Sequence, residues 1–497
     1  MSVPLAASPP SPGNTAAGGT AAARATLTAA VLGFFAITLD ALVVNVALPS
    51  IRHDLGGGIT GLQWVVDGYT LMFAALLLSA GSLSDRIGAR RAFGTGMAVF
   101  VVASAACGLA PTLGVLIAAR LVQGAGAAIM MPSSLTLIRE AYPDPVRRGR
   151  AIGVWTIAGA VAAGLGPVAG GALNLVSWRM IFFINLPAGA VALFFLARAR
   201  RSPRREVPFD WAGQILAVLA MSALTFGVIE AGADGFGATE VQVALVVSVA
   251  ALAAFIAVQA REAHPMVPLD LFRSRVVVIA SGTGFAFMAG FYGLVFVYSL
   301  YLQQVRGLSP LDTGLVFLPS SAVSGFVGPL SARLAERFGP RVLIVGSMAG
   351  MSLGLAVIAT VVGSAPIWLL AVLRIPVGIC GPLAMQPTTA VLLESVPPQR
   401  SGVASSVFNT SRQLGGALAV AVFGALLATR GHVLDGVRES LVIAAVVAFA
   451  AAAANLLPAA RSDQRSLFQN GLWCLLPDRR RRCLLARVRE SQHGEHG

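Results

Sequence analysis

Residues 81–91 read Gly81-Ser82-Leu83-Ser84-Asp85-Arg86-Ile87-Gly88-Ala89-Arg90-Arg91, a short basic turn between apolar runs at about 62–82 and 92–110. Each run is about 20 residues, the length an α-helix needs to cross a bilayer. Lipid leaves no partner for free backbone N–H and C=O groups, so both runs must be helical and the charged turn must lie in water. Gly81 and Gly88 suit a tight connection, with Gly88 placed where the chain needs φ > 0. Asp85 is within reach of Arg86, Arg90 and Arg91, or of another helix end.

The pattern returns 251 residues later. Glu336 stands for Asp85, Arg337 for Arg86, Gly339 for Gly88 and Arg341 for Arg90. Arg120 with Gly124 recurs as Arg374 with Gly378, and Arg147-x-Gly149-x-Ala151 recurs as Arg400-x-Gly402-x-Ala404. A near-constant offset through three motifs is the mark of a duplicated membrane bundle.

Composition agrees. The chain is 56% hydrophobic and 12% charged, where soluble domains carry about 25% charged residues; mean hydropathy is +0.78. Apolar runs fall near 27–49, 62–82, 92–110, 113–135, 150–173 and 179–198. A second set falls near 211–231, 241–260, 276–302, 312–335, 341–362, 366–393, 403–428 and 439–458, which makes fourteen. All 36 basic residues are Arg, a usage expected of a GC-rich genome. Alternating loops put Arg52, Arg179, Arg306, Arg430 and Arg438 on one side of the membrane. Arg120, Arg374 and Arg412 fall inside spans, and the remaining 28 lie on the other side, which the positive-inside rule makes the cytoplasm, with both termini. The net charge of +14 then belongs to loops, and no nucleic-acid partner is needed to explain it.

The expected architecture is all-α integral membrane, with 14 transmembrane helices in a 6 + 2 + 6 plan. Residues 1–26 form a disordered cytoplasmic leader, 27–198 the first six-helix bundle, and 199–275 a linker with two extra helices. Residues 276–460 form the second bundle and 461–497 a basic cytoplasmic tail, in which Arg479–Arg482 is either solvated or laid on anionic lipid.

Enzyme readings have little to stand on. The five histidines are scattered through loops and tail, and the four cysteines make no metal or disulfide spacing. A phosphate-binding loop needs a lysine that the chain lacks. No cofactor and no metal are expected, and energy must come from an ion gradient or a partner subunit.

The stretch G-x-L-x-D-R-x-G-x-R-R after a second spanning helix resembles the signature loop of the major facilitator superfamily. The wording LDALVVNVALP in helix 1, QWVVDGYTL in helix 2, WRMIFFINLPAG at helix 6 and NTSRQLGGALAVAV in helix 13 is similar to the fourteen-helix drug:proton antiporter branch. The tail from about 461 falls outside the resemblance. It implies a proton-driven exporter of a small amphipathic drug or antibiotic in the bacterial cell membrane, working as a monomer and consistent with self-resistance in a producer. A proton-coupled metabolite uptake permease, or a transporter-like sensor without flux, are the alternatives.

Five groups of residues are candidates for the chemistry. Asp40 lies past the midpoint of helix 1, where a carboxylate costs about 2.5–3.5 kcal/mol on insertion scales, and reads as the proton carrier. Gln63, Asp67 and Thr70 share one face of helix 2, which reads as a pore lining with Gln63 a candidate for the substrate cavity. Asp67 there holds a second proton or a cationic substrate, or snorkels to the interface. Arg120 in Arg120-Leu121-Val122-Gln123-Gly124 resembles the family's proton-relay motif, as a switch or as a static tether to Asp40. The sequence expects all three ionisable groups in one layer.

Gly166-Pro167-Val168-Ala169-Gly170-Gly171 in helix 5 resembles the antiporter motif, with Ala162 in place of a glycine of its longer form. It should give a bend with a close helix contact and favours export over uptake. Ser405, Asn409, Arg412 and Gly416 share a face of helix 13, for substrate contact or for helix–helix hydrogen bonds. Phe287, Phe291 and Tyr298 in helix 9 line a drug cavity or pack. Finally, Asp85 is expected near Gly402–Ala404 when the bundle is open outward, as a latch on the helix N-terminus.

Overall fold

The computed structural model describes residues 12–204, 209–262, 264–397, 400–429 and 433–457. The tail 461–497, Arg430 and residues 1–11 lie outside the described residues. Among those described, fourteen helices are long and apolar enough to span a membrane. They are α1 (Ala21–Leu55), α2 (Gly58–Ile87), α3 (Ala89–Gly108), α4 (Leu113–Ala141), α5 (Pro145–Asn174), α6 (Met180–Ala197) and α7 (Trp211–Asp234). The second set is α8 (Thr239–Arg261), α9 (Arg275–Gln304), α10 (Pro310–Phe338), α11 (Pro340–Val361), α12 (Ile367–Glu394), α13 (Ser401–Ala428) and α14 (Val433–Leu456).

Two expectations change. The leader is helical from Pro12, continuous with α1; its many alanines carry the highest helix propensity. The 81–91 stretch is barely a loop. α2 runs through Gly81 and Asp85 to Ile87, and Gly88 alone separates it from α3. Gly88 turns the chain with φ 88° and ψ 134°, and Gly339 does the same with φ 86° and ψ 143°. Only glycine takes such backbone without strain.

The duplication is explicit in the packing. α1 packs on α5 and α6, α2 on α4, and α3 on α4 and α6; α9 packs on α13 and α14, α10 on α12, and α11 on α12 and α14. The halves meet as α2 on α13 and α5 on α10, with α1 against α9. That pairing has the two-fold character of a parallel repeat. α7 lies across the α2–α13 seam and touches both halves, while α8 packs on α7 outside it.

Twin arginines finish each half. Arg90 donates from Nε to Leu196 O at 3.1 Å and from Nη2 to Ala197 O at 2.8 Å, carbonyls at the end of α6 where a cation is favoured. Arg341 does the same for α14, from Nε to Asn455 O at 2.6 Å and from Nη2 to Leu457 O at 2.8 Å. Arg90 also accepts the linker, its backbone N–H donating to Ser202 Oγ at 3.0 Å. Arg86 and Arg91 are exposed.

Below, the turn face is the side of the bundle carrying Gly88 and Gly339, and the far face is the opposite side. Hydrogen bonds between the halves gather toward the far face. Gln63 Nε2 donates to Val420 O and Ala421 O at 3.3 and 2.7 Å, and Gln303 Nε2 donates to Val46 O at 3.0 Å. At the turn face, no atom lies within 4 Å of a Cβ built on Gly81 or Gly402. No hydrogen bond joins Asp85 to 402–404 among the described residues, so the latch contact is not made in this conformation.

Candidate functional site

Asp40 and Arg120 are completely buried and form an ion pair, Arg120 Nη1 donating to Asp40 Oδ2 at 2.5 Å. The second carboxylate oxygen accepts from two amides, Gln123 Nε2 at 2.9 Å and Asn185 Nδ2 at 2.8 Å. The acid thus accepts three N–H bonds across its two oxygens. Arg120 is held in turn: Nε donates to Val65 O at 3.0 Å and Nη1 to Gln123 Oε1 at 2.9 Å. Its guanidinium lies 4.4 Å from the centre of the Tyr69 ring, whose hydroxyl donates to Ile37 O at 3.2 Å. Asn185 Nδ2 also reaches Ser104 Oγ at 3.0 Å, and Ser104 donates to Phe182 O.

The local fold explains the assembly. Gly124 lets α4 press on α2, since a Cβ there would stand 2.3 Å from Tyr69 O. That approach brings Arg120, one turn earlier, over the Tyr69 ring. Asn185 sits where α6 breaks, opening the helix Asn185–Ala197 one residue after the short helix Met180–Phe183. The break turns its amide inward.

Asp67 is fully buried but stands apart from this cluster. Among the described residues Thr70 Oγ1 lies 3.4 Å from Oδ1, and Oδ2 has no hydrogen-bond partner. Arg120 reaches the same stretch of α2, with Nε on Val65 O and its Cβ beside Gly68, but no hydrogen bond or ion pair joins Asp67 to the pair among the described residues. The stripe Gln63–Asp67–Thr70 faces a helix of the other half, because Gln63 bonds α13 and is fully buried. Gln63 closes a seam here and does not line an open cavity.

The antiporter-like segment of α5 is clasped on two sides. A Cβ on Gly166 would stand 3.0 Å from Leu42 Cβ, and one on Gly170 would stand 2.6 Å from Val43 O, both in α1. A Cβ on Gly171 would stand 2.5 Å from Pro310 O, and one on Gly314 would stand 2.5 Å from Pro167 O. The small residues thus bring α5 into backbone contact with its own half and with α10 of the other.

In α13, Asn409 Nδ2 donates to Ser405 O at 2.9 Å, and Arg412 Nη1 donates to Asn409 Oδ1 at 3.2 Å. Arg412 is half-buried, near the Phe408 ring at 5.7 Å. Phe287 and Phe291 stack at 5.7 Å, whereas Tyr298 is fully buried in the second half and lines no drug cavity.

Sequence reasoning did not assign Gln123, Asn185, Ser104 or Tyr69 to the site. The available signal was an amide inside an apolar run, as in Phe182-Phe183-Ile184-Asn185-Leu186-Pro187.

The family model described as Major Facilitator Superfamily matches residues 30–335 and 280–471. The chain is 38% identical over 409 residues to the multidrug resistance protein Stp of Mycobacterium tuberculosis, covering 81% of this chain and 75% of that one. It is 38% identical over 407 residues to the methylenomycin A resistance protein of Streptomyces coelicolor, covering 81% and 85%. To the tetracenomycin C resistance and export protein of Streptomyces glaucescens it is 34% identical over 414 residues, covering 82% and 76%. Among solved structures, a bacterial homologue of the lysosomal transporter Spinster, inward-facing and unoccupied, superposes with a TM-score of 0.61 at 18% identity, covering 90% of this chain and 98% of that one. A peptide transporter of the POT family superposes at 0.66 and 14% identity, covering 87% and 94%. Fourteen apolar helices, twelve of them in two twinned six-helix units, the Asp40–Arg120 pair and these matches lead to one assignment: the chain is a multi-pass membrane protein that belongs to the major facilitator superfamily.

Proposed function

We propose that this protein exports a small amphipathic drug or antibiotic across the bacterial cell membrane in exchange for protons, as a monomer, with the turn face and both termini in the cytoplasm. The observation that carries the reading is the buried Asp40–Arg120 pair with its two amide donors. An ionisable acid in a spanning helix is costly and marks proton or ion traffic. Relatives named for antibiotic resistance and export supply the direction and the class of cargo.

The mechanism follows from which groups can change charge. Arg120 keeps its proton, so it is a fixed cation. Asp40 is the member of the pair that titrates. The halves are joined toward the far face by Gln63 and Gln303, and Asp40 accepts three N–H bonds, an arrangement that suits the step after a proton has left to the cytoplasm. Rocking the halves the other way must break the Gln63 and Gln303 bonds and move α5 against α1 and α10. That movement loosens the donors on Asp40, and protonation from the outside then neutralises an acid that has lost its partners. Asp67, buried and free of any cation, is a second place for a proton or a cationic drug.

Expression in a drug-sensitive host, challenged with a panel of antibiotics, tests the export reading. The expected result is raised tolerance to at least one amphipathic compound that disappears when an ionophore collapses the proton gradient. Accumulation of a metabolite into the cell on the same gradient would replace export with uptake.

A further inference from the structure

Arg374 is the twin of Arg120 and is 2% exposed, yet it has no acid. Among the described residues its conventional partner is one hydroxyl: Nη1 donates to Ser320 Oγ at 3.2 Å, and Nε has no partner. Ser320 in turn donates to Phe317 O at 2.9 Å. The guanidinium lies 3.9 Å from the centre of the Phe317 ring and 5.9 Å from that of Tyr298. The Tyr298 hydroxyl is buried and also lacks a partner. No acidic residue occurs anywhere in α9, α11 or α13, and those of α10, α12 and α14 lie within two turns of a helix end.

Arginine cannot shed its charge to escape burial. A cation–π contact with Phe317 offsets only part of the desolvation of a guanidinium. The cluster therefore offers a fixed positive charge and an unpartnered phenolic O–H with nothing anionic to receive them. The site lies inside one half, between α9, α10 and α12, and Gly378 brings α12 so close to α10 that a Cβ would stand 2.7 Å from Ser320 O. Such a space excludes a drug-sized group. The geometry points to a binding site for a small monovalent inorganic anion of chloride size, held by Arg374 and Tyr298 and balancing a buried charge that the first half balances with Asp40.

The test is thermal unfolding of the purified full-length protein in detergent, titrated with sodium chloride against sodium gluconate at equal ionic strength. Wild type should gain a saturable rise in Tm with chloride and with bromide, and none with gluconate. Tyr298→Phe should raise the half-saturating chloride concentration by about tenfold, one lost hydrogen bond to an ion, and Arg374→Gln should abolish the chloride response. Should Arg374→Gln fail to fold, Tyr298→Phe decides alone. Identical chloride and gluconate curves for wild type, as expected if only buried water meets these groups, would overturn the site. So would a Tyr298→Phe protein that saturates at the wild-type concentration. The readout needs no transport, so its failure leaves the export reading standing.

Discussion

The two halves share a backbone plan and differ in charge. In the first, Arg120 meets Asp40, Gln123, Val65 and the Tyr69 ring, and Asp67 waits nearby without a cation. In the second, Arg374 meets a serine hydroxyl and two aromatic rings, and Arg412 meets an amide. Both acids of the membrane interior are therefore in one half and two cations are in the other. Duplication preserved the glycine that seats each arginine, Gly124 and Gly378, but not the acid. The same fold can thus hold a titratable pair on one side and a fixed charge on the other. Only the first can carry a proton in and out.

The comparison makes its largest prediction for stability. Arg120→Met should strand Asp40 without its cation and destabilise the protein by about 3–5 kcal/mol, the usual cost of breaking a buried pair. Arg374→Met strands no acid and should cost about 2 kcal/mol or less, near the value of the cation–π contact it removes. Paired thermal or denaturant unfolding in detergent checks this, and equal losses would erase the distinction between the halves.

Glycine substitutions come next. Gly124→Ala and Gly378→Ala each force a Cβ against a carbonyl of the neighbouring helix, so each should cost about 1–3 kcal/mol. Gly124 should be the worse of the two, because its approach is 2.3 Å against 2.7 Å. It should also reduce transport more, since it moves Arg120.

The smallest effect concerns the twins Arg147 and Arg400. Arg147 has its backbone N–H on Asp144 Oδ1, whereas Arg400 donates through its side chain to Asp270 in the linker, half-exposed on both sides. The hydrogen bond from Arg400 lowers the pKa of Asp270 below the ordinary carboxylate value. A folded-state pKa that is depressed gives stability above the unfolded value, about 3.9, which is lost as pH falls through the folded one. Asp270→Asn should therefore lower stability at neutral pH by no more than about 1 kcal/mol and leave unfolding at the acid end unchanged.

Much of the fold was open to reading because the bilayer allows few solutions. An apolar run of about 20 residues must be a helix, and Gly88 and Gly339 mark tight turns in both halves. Asp40 and Arg120 were legible for the same reason: a charge in an apolar run stands out. Neutral amides do not, so Gln123 and Asn185 passed unassigned, although Asn185 lies 145 residues from the acid it touches. Spacing along one helix placed Gln63 on a pore, but which helix that face meets is a tertiary fact, and it meets α13. Tyr298 read as a cavity aromatic because helical periodicity cannot tell an inward face from a packed one.

The central claim is that the titrating member of the first half's pair couples drug export to protons. Asp40→Asn keeps the volume and a hydrogen-bonding carbonyl while removing the titratable group. Reconstituted in proteoliposomes with an imposed pH gradient, this variant should lose proton-driven drug accumulation by about a hundredfold or more, equivalent to roughly 2.7 kcal/mol of coupling, while still binding drug. Undiminished accumulation by Asp40→Asn would contradict the claim and pass the role to Asp67.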